Sequence, residues 1–190
     1  MRILYLTGWG YVAIAAALLY RATHPATYTP IDDVTFAAGT PGQRWFQTVK
    51  PQCNALEVEL TMQRNPAPEG FEGSGYAAAC FALANKLTRA QERIDALQGD
   101  DRVRAASIVF DVGHPVADAG DDESAGPIME LVLRYWPSHY MALYHAGIAE
   151  FRTGKPELAR KNLEEFLRQY TQNDGWTASA RSTLKELEAR

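Results

Sequence analysis

Small residues recur along this chain at an interval of 34 positions. Gly113, Gly120 and Ala125 are matched by Gly147, Gly154 and Ala159, and Met129 and Leu163 continue the register. A fixed interval constrains the fold more than any single side chain does. A self-similar segment of about 20–50 residues is one supersecondary unit, which buries its apolar face only by stacking on a neighbour. Stacks of this kind present extended surfaces to other proteins, and that predicts a binding scaffold before any motif is considered.

Helical periodicity surrounds the register. Ala77, Cys80, Phe81, Ala84 and Leu87 share a face at three- and four-residue steps, and Ala90, Ile94 and Leu97 form the stripe of the next helix. Gly99, Asp100 and Asp101 break the pattern. A second hairpin is expected over residues 103–136, ended by Pro137, and a third over residues 138–170. Asp174 is a good N-cap for a last amphipathic helix that uses Trp176, Ala180, Leu184 and Leu187, its other face charged like that of a capping helix. Upstream, residues 43–49 read as a short helix, and Pro51 opens another that runs to Arg64 before Asn65, Pro66 and Pro68 stop it. The glycine-rich residues 70–75 read as a loop. Residues 107–112 are locally β-rich but lie where the register demands a helix, so the expected class is all-α.

The two later hairpins resemble tetratricopeptide repeats, helix-turn-helix units of 34 residues with small residues where the paired helices touch. Gly113 and Gly147 fall at the close contact of the first helix, Gly120 and Gly154 at the turn, and Ala125 and Ala159 where the second helix crosses the first. Pro156 opens a second helix where its missing N–H costs nothing. Ala78, Asn85, Ala90 and Ile94 fit a third, degenerate unit at a 35-residue offset, with Asn85 replacing glycine in a left-handed turn. The resemblance covers residues 71–171. It implies a short array of two clear units and one degenerate unit, closed by a C-terminal capping helix. It also implies a groove lined by first helices, to which Phe110, His114 and Asp118 would contribute from one unit and Met141, Tyr144, Ile148, Phe151 and Arg152 from the next. An aromatic and apolar set of this kind suits a hydrophobic helix or extended segment of a partner protein. The chain departs from the family at His114–Pro115, where proline falls inside a first helix and should kink it.

Residues 3–20 carry no charge and are bracketed by Arg2 and Arg21. At about 1.5 Å per residue such a stretch is just long enough for a bilayer core. An uncleaved single-pass anchor, a cleaved signal peptide with its small-x-small site at Ala15 and Ala17, and a buried core helix all fit, and span length favours the anchor. The expected organisation is an anchor at residues 1–21, an extended Pro- and Thr-rich linker at 22–42 and a helical domain at 43–190. The positive charges slightly favour the N-terminus inside, which places the domain in the periplasm of a bacterium with the anchor in the inner membrane. Cys53 and Cys80 could pair in that compartment, or stand as two small buried thiols.

A net charge of -4 with no basic run argues against nucleic acid as a partner. No P-loop, nucleophile elbow or haem-attachment motif is present, and no side chain resembles an activated nucleophile, so neither catalytic residues nor a cofactor are expected. His114 with Asp118, Asp121, Asp122 and Glu123 is the one group that suggests a cation. Its carboxylates read more simply as a favourable helix N-terminus and a solvated turn. His24, His114, His139 and His145 show no metal-ligand spacing, and His139 and His145 would lie on different helical faces, so no metal is expected. The function expected is a membrane-tethered, non-enzymatic adaptor that binds protein. The alternative is an accessory subunit of a large membrane complex, such as an energy-converting one.

Overall fold

The computed structural model describes residues 39–189. The expected anchor and the linker up to residue 38 lie outside the described residues. Among the described residues there is no strand, and no helix is long and apolar enough to cross a membrane. The described residues form nine consecutive α-helices: α1 Pro41–Val49, α2 Val58–Arg64, α3 Gly70–Leu83, α4 Leu87–Asp95, α5 Asp101–Asp118, α6 Asp122–Tyr135, α7 Tyr140–Arg152, α8 Pro156–Gln169 and α9 Gly175–Glu188.

The first helices depart from expectation in two places. Pro51 lies in a 3-10 turn, Lys50–Gln52, and the expected helix over 51–64 is split. The Asn54 side-chain oxygen accepts from the backbone N–H groups of Leu56 and Glu57, both at 3.1 Å, and this local turn competes with the helix until Val58. Residues 70–75 are the first turns of α3 rather than a loop. A Cβ on Gly73 would fall 1.8 Å from the Pro68 carbonyl oxygen, and one on Gly75 would meet Ile108 Cδ1 at 2.9 Å and Ala105 Cα at 3.1 Å. These glycines are helical because the chain and α5 pass too close for any side chain, and tertiary contact overrides their poor propensity. α1 starts at Pro41, just inside the expected linker, with a capping box between Thr40 and Gln43.

The three hairpins α3–α4, α5–α6 and α7–α8 turn in the same way. Asn85 at φ 56°, Gly120 at 78° and Gly154 at 78° are left-handed. The next residue in each case donates back five positions: Lys86 to Phe81 at 2.8 Å, Asp121 to Val116 at 3.3 Å and Lys155 to Glu150 at 2.7 Å. This closure satisfies carbonyls that the helix end would leave orphaned. Within the hairpins a Cβ on Gly113 would lie 2.6 Å from Ile128 Cγ2, and one on Gly147 would lie 2.7 Å from Leu163 Cγ. Ala90, Ala125 and Ala159 are fully buried where the second helices cross. α5 is unbroken through Pro115. Asp111, whose carbonyl loses a bond there, lies on the exposed face.

α3 packs on α4 and closely on α5, α5 on α6, α6 on α7 and α7 on α8, and α9 lies over α8 and α7. Between α5 and α7 the backbones scarcely approach. Asp174 caps α9 by accepting from Trp176 and Thr177 at 3.0 and 3.2 Å, and Ala180 and Leu187 are buried beneath it. Cys53 and Cys80 are joined in a disulfide with their Cα atoms 4.8 Å apart, which ties the segment after α1 to α3.

Candidate functional site

The gap between α5 and α7 is filled by rings. Phe110, His114 and Asp118 stand at four-residue steps, so one face of α5 presents all three. Phe110 stacks on His114, centroids 4.9 Å apart, and meets His139 at 4.0 Å. His139 is the N-cap of α7: its Nδ1 accepts from the Ala142 N–H at 3.2 Å, and Trp136 lies edge-on to its ring at 4.6 Å. Six residues further along, in α7, His145 meets His114 edge-on at 4.8 Å and is covered by Trp176 of α9 at 5.7 Å.

His114 and His145 converge on one carboxylate. Their Nε2 atoms lie 3.5 and 3.8 Å from Asp118 Oδ1. His145 is only 6% exposed, and both Nε2 atoms are buried without a hydrogen-bond partner. Burial, reinforced by the neighbouring His114, pushes the His145 imidazole down to about 4 against the opposing pull of Asp118 and Asp122. Burial also lowers His139. His145 is therefore neutral at pH 7, with a lone pair on one ring nitrogen.

The acidic turn beside this cluster is built from structural contacts. Asp121 accepts from the Ser124 N–H at 3.1 Å as the N-cap of α6, and Asp122 is paired with Arg152. The simple helix-terminus reading suits these two. Asp118 is different, because it faces the imidazoles.

The eight residues expected in a groove do not line one open surface. Tyr144 is buried against Phe166 and Trp176, at 5.2 and 5.0 Å, and its hydroxyl pairs with Ser179 Oγ at 2.9 Å. Ile148 packs into the same core cluster, and Met141 packs against the main core. Phe151 is half-buried, and Arg152 is exposed but held by Asp122. The reason is α9, which lies where a further first helix would follow α7 and covers that helix's apolar face. The open part of the first-helix face lies one unit earlier. A cleft of about 460 Å³ lies there, between α1, α3 and α5, lined by Phe71, Tyr76, Ile108, Arg104, Asp111 and Trp136. The Arg104 guanidinium sits 3.5 Å above the Phe71 ring in a cation–π contact.

Neither His145 as a partner of His114 nor the cleft at Phe71 was visible in the sequence pattern. One signal was present for the first: His145 lies three residues, one helical turn, before Ile148, which is the repeat equivalent of His114. No protein-family model matches the chain, and no curated protein or solved structure matches it.

Proposed function

We propose that the chain is a membrane-tethered, non-enzymatic scaffold of the tetratricopeptide type, which binds a segment of another protein on the face formed by its first helices. The observation that carries this reading is the shared construction of the hairpins. The turn is left-handed at Asn85, Gly120 and Gly154, and the helix pairs close on Gly113 and Gly147. That construction yields a stack of helices with one face of first helices, which supports a binding role.

The cleft at Phe71, Tyr76 and Trp136 is the docking region this reading favours. It combines aromatic anchors with Arg104 and Asp111, a pattern that suits an extended segment carrying apolar side chains and both signs of charge. The Cys53–Cys80 disulfide supports placing the helical domain on an oxidising side of the membrane, the periplasmic side in a bacterium. The uncharged residues 3–20 supply the tether.

Site-specific photocrosslinking in the native membrane tests the proposal. A crosslinker at Ser107, in the cleft, should give one discrete protein adduct, and one at Lys185, on the charged outer face of α9, should give none. Equal labelling from both positions, or none from Ser107, would remove the docking region. An adaptor should release its partner at moderate salt; stoichiometric co-purification would instead make the chain a permanent subunit.

A further inference from the structure

We propose that His114, His145 and Asp118 form a binding site for a divalent transition-metal ion of the zinc class. The three residues offer one ligand atom each within 4.8 Å of one another. Two are imidazoles and one is a carboxylate, a donor set that such ions accept with one or more positions left for water.

The strongest support is the state of the imidazoles. Buried polar atoms almost always have partners, and exceptions call for an explanation. Here two buried Nε2 atoms, one on a side chain more than nine-tenths buried, point towards the same oxygen and bond to nothing. A single oxygen at 3.5 and 3.8 Å gives neither ring a good hydrogen bond. One cation in the space between them satisfies all three groups together.

Two of the three separations suit such an ion, and the third requires the side chains to close on it. For metal–ligand bonds of about 2.0–2.1 Å, tetrahedral ligand atoms stand roughly 3.3 Å apart. The imidazoles stand 3.5 and 3.8 Å from the Asp118 oxygen, near that value, while the widest separation in the group is 4.8 Å and must close by about 1.5 Å through side-chain rotation. Asp118 is half exposed, so an ion has a route in from solvent, while Phe110 and Trp176 shield the far side. Asp122 adds negative charge nearby and is itself held by Arg152.

The ligands come from two hairpins. His114 and Asp118 are a four-residue pair on α5, and His145 is on α7, so a bound ion ties the second hairpin to the third where their first helices make little backbone contact. This inference does not rest on the scaffold reading and would stand if no protein partner existed.

The test uses the purified full chain, without a histidine tag and kept in non-ionic detergent. Co²⁺ serves as the spectroscopic probe and Zn²⁺ as competitor. We expect one equivalent of Co²⁺ to give visible ligand-field absorbance that Zn²⁺ abolishes. Zn²⁺ at a hundredfold excess over its Kd should raise Tm by roughly 5–10 °C. Asp118→Asn, a change at an exposed position, should weaken Zn²⁺ binding at least about tenfold, and His145→Gln should weaken it further. His24→Gln should bind as the wild type does. The proposal is overturned if the wild type shows no saturable binding up to ~1 mM Zn²⁺. It is equally overturned if Asp118→Asn, folded by circular dichroism, binds with unchanged affinity. Should His145→Gln fail to fold, Asp118→Asn decides alone.

Discussion

On one side of α5, α3 approaches until Gly75 faces the Ala105 backbone and Ile108, with no room for a methyl group. On the other side α7 stands off, and Phe110, His114, His139 and His145 fill the interval. Both arrangements join one first helix to the next. The close one uses small apolar residues, whose tight packing favours the native state and makes no demand on polar partners. The open one buries the Nε2 atoms of His114 and His145 without partners, which favours stability little or not at all. Groups that local rules would exclude tend to sit where a protein does something other than fold. The contrast thus separates the part of the stack that maintains the structure from the part with chemical potential.

The largest expected effect lies on the close side, where α3 is also covalently held. Replacing both Cys53 and Cys80 with serine opens a link across 27 residues. In the chain-entropy account a loop of that length is worth about 3–4 kcal/mol, which corresponds to a fall of roughly 10 °C in Tm. Calorimetry of the double variant measures it. A fall of only a degree or two would mean that the α3 side is no more firmly held than the α7 side, and the comparison would break.

A paired substitution probes the two junctions directly. Gly75→Val drives a branched side chain into Ala105 and Ile108 and should cost about 1–3 kcal/mol. His145→Leu replaces an unpartnered buried imidazole with an apolar side chain of similar size and should leave stability within about 1 kcal/mol of the wild type, or raise it. Both are measured by urea unfolding in the presence of a chelator. A larger loss for His145→Leu than for Gly75→Val would show that the ring-filled gap is structural after all.

The same contrast explains what could be read from the residues in order. Gly120, Gly154 and Asn85 were legible as left-handed turns because the requirement is local: a backbone with positive φ accepts few residues. Gly113 and Gly147 were legible because the register repeats them. Gly73 and Gly75 misled, since their helical state depends on Pro68 and α5, neither of which local propensity knows about. Asn54 misled in the other direction by capping a turn inside an expected helix. The register assigns Tyr144 to an open groove face, but α9 occupies that face. The pairing of His145 is hidden in the sequence for a related reason. Spacing along the chain shows no metal-ligand pattern, whereas the pairing with His114 crosses between helices and falls one turn out of the repeat.

The smallest predicted effect sharpens the comparison on α7 itself. His145 and Glu150 are both buried polar residues of this helix, but Glu150 has a partner, since Asn162 Nδ2 donates to both of its oxygens at 3.0 and 2.8 Å. Burial nevertheless raises the Glu150 carboxyl above its ordinary value of 4.5; Glu130 adds to the rise, while the Asn162 bonds and the nearby Lys155 and Lys161 oppose it. A carboxyl raised in the folded state binds its proton more readily there than in the unfolded chain. The charged form therefore lowers stability above the folded-state pKa, and the deficit disappears as pH falls through that value to 4.5. Glu150→Gln keeps an acceptor for Asn162 and removes the charge. It should raise Tm at pH 7 by a few degrees at most, and the gain should shrink steadily towards pH 4.5. Thermal melts at several pH values give the difference. A gain that persists unchanged at the acid end would trace to packing rather than charge, and a loss at pH 7 would mean that the two Asn162 bonds outweigh the burial of the carboxylate.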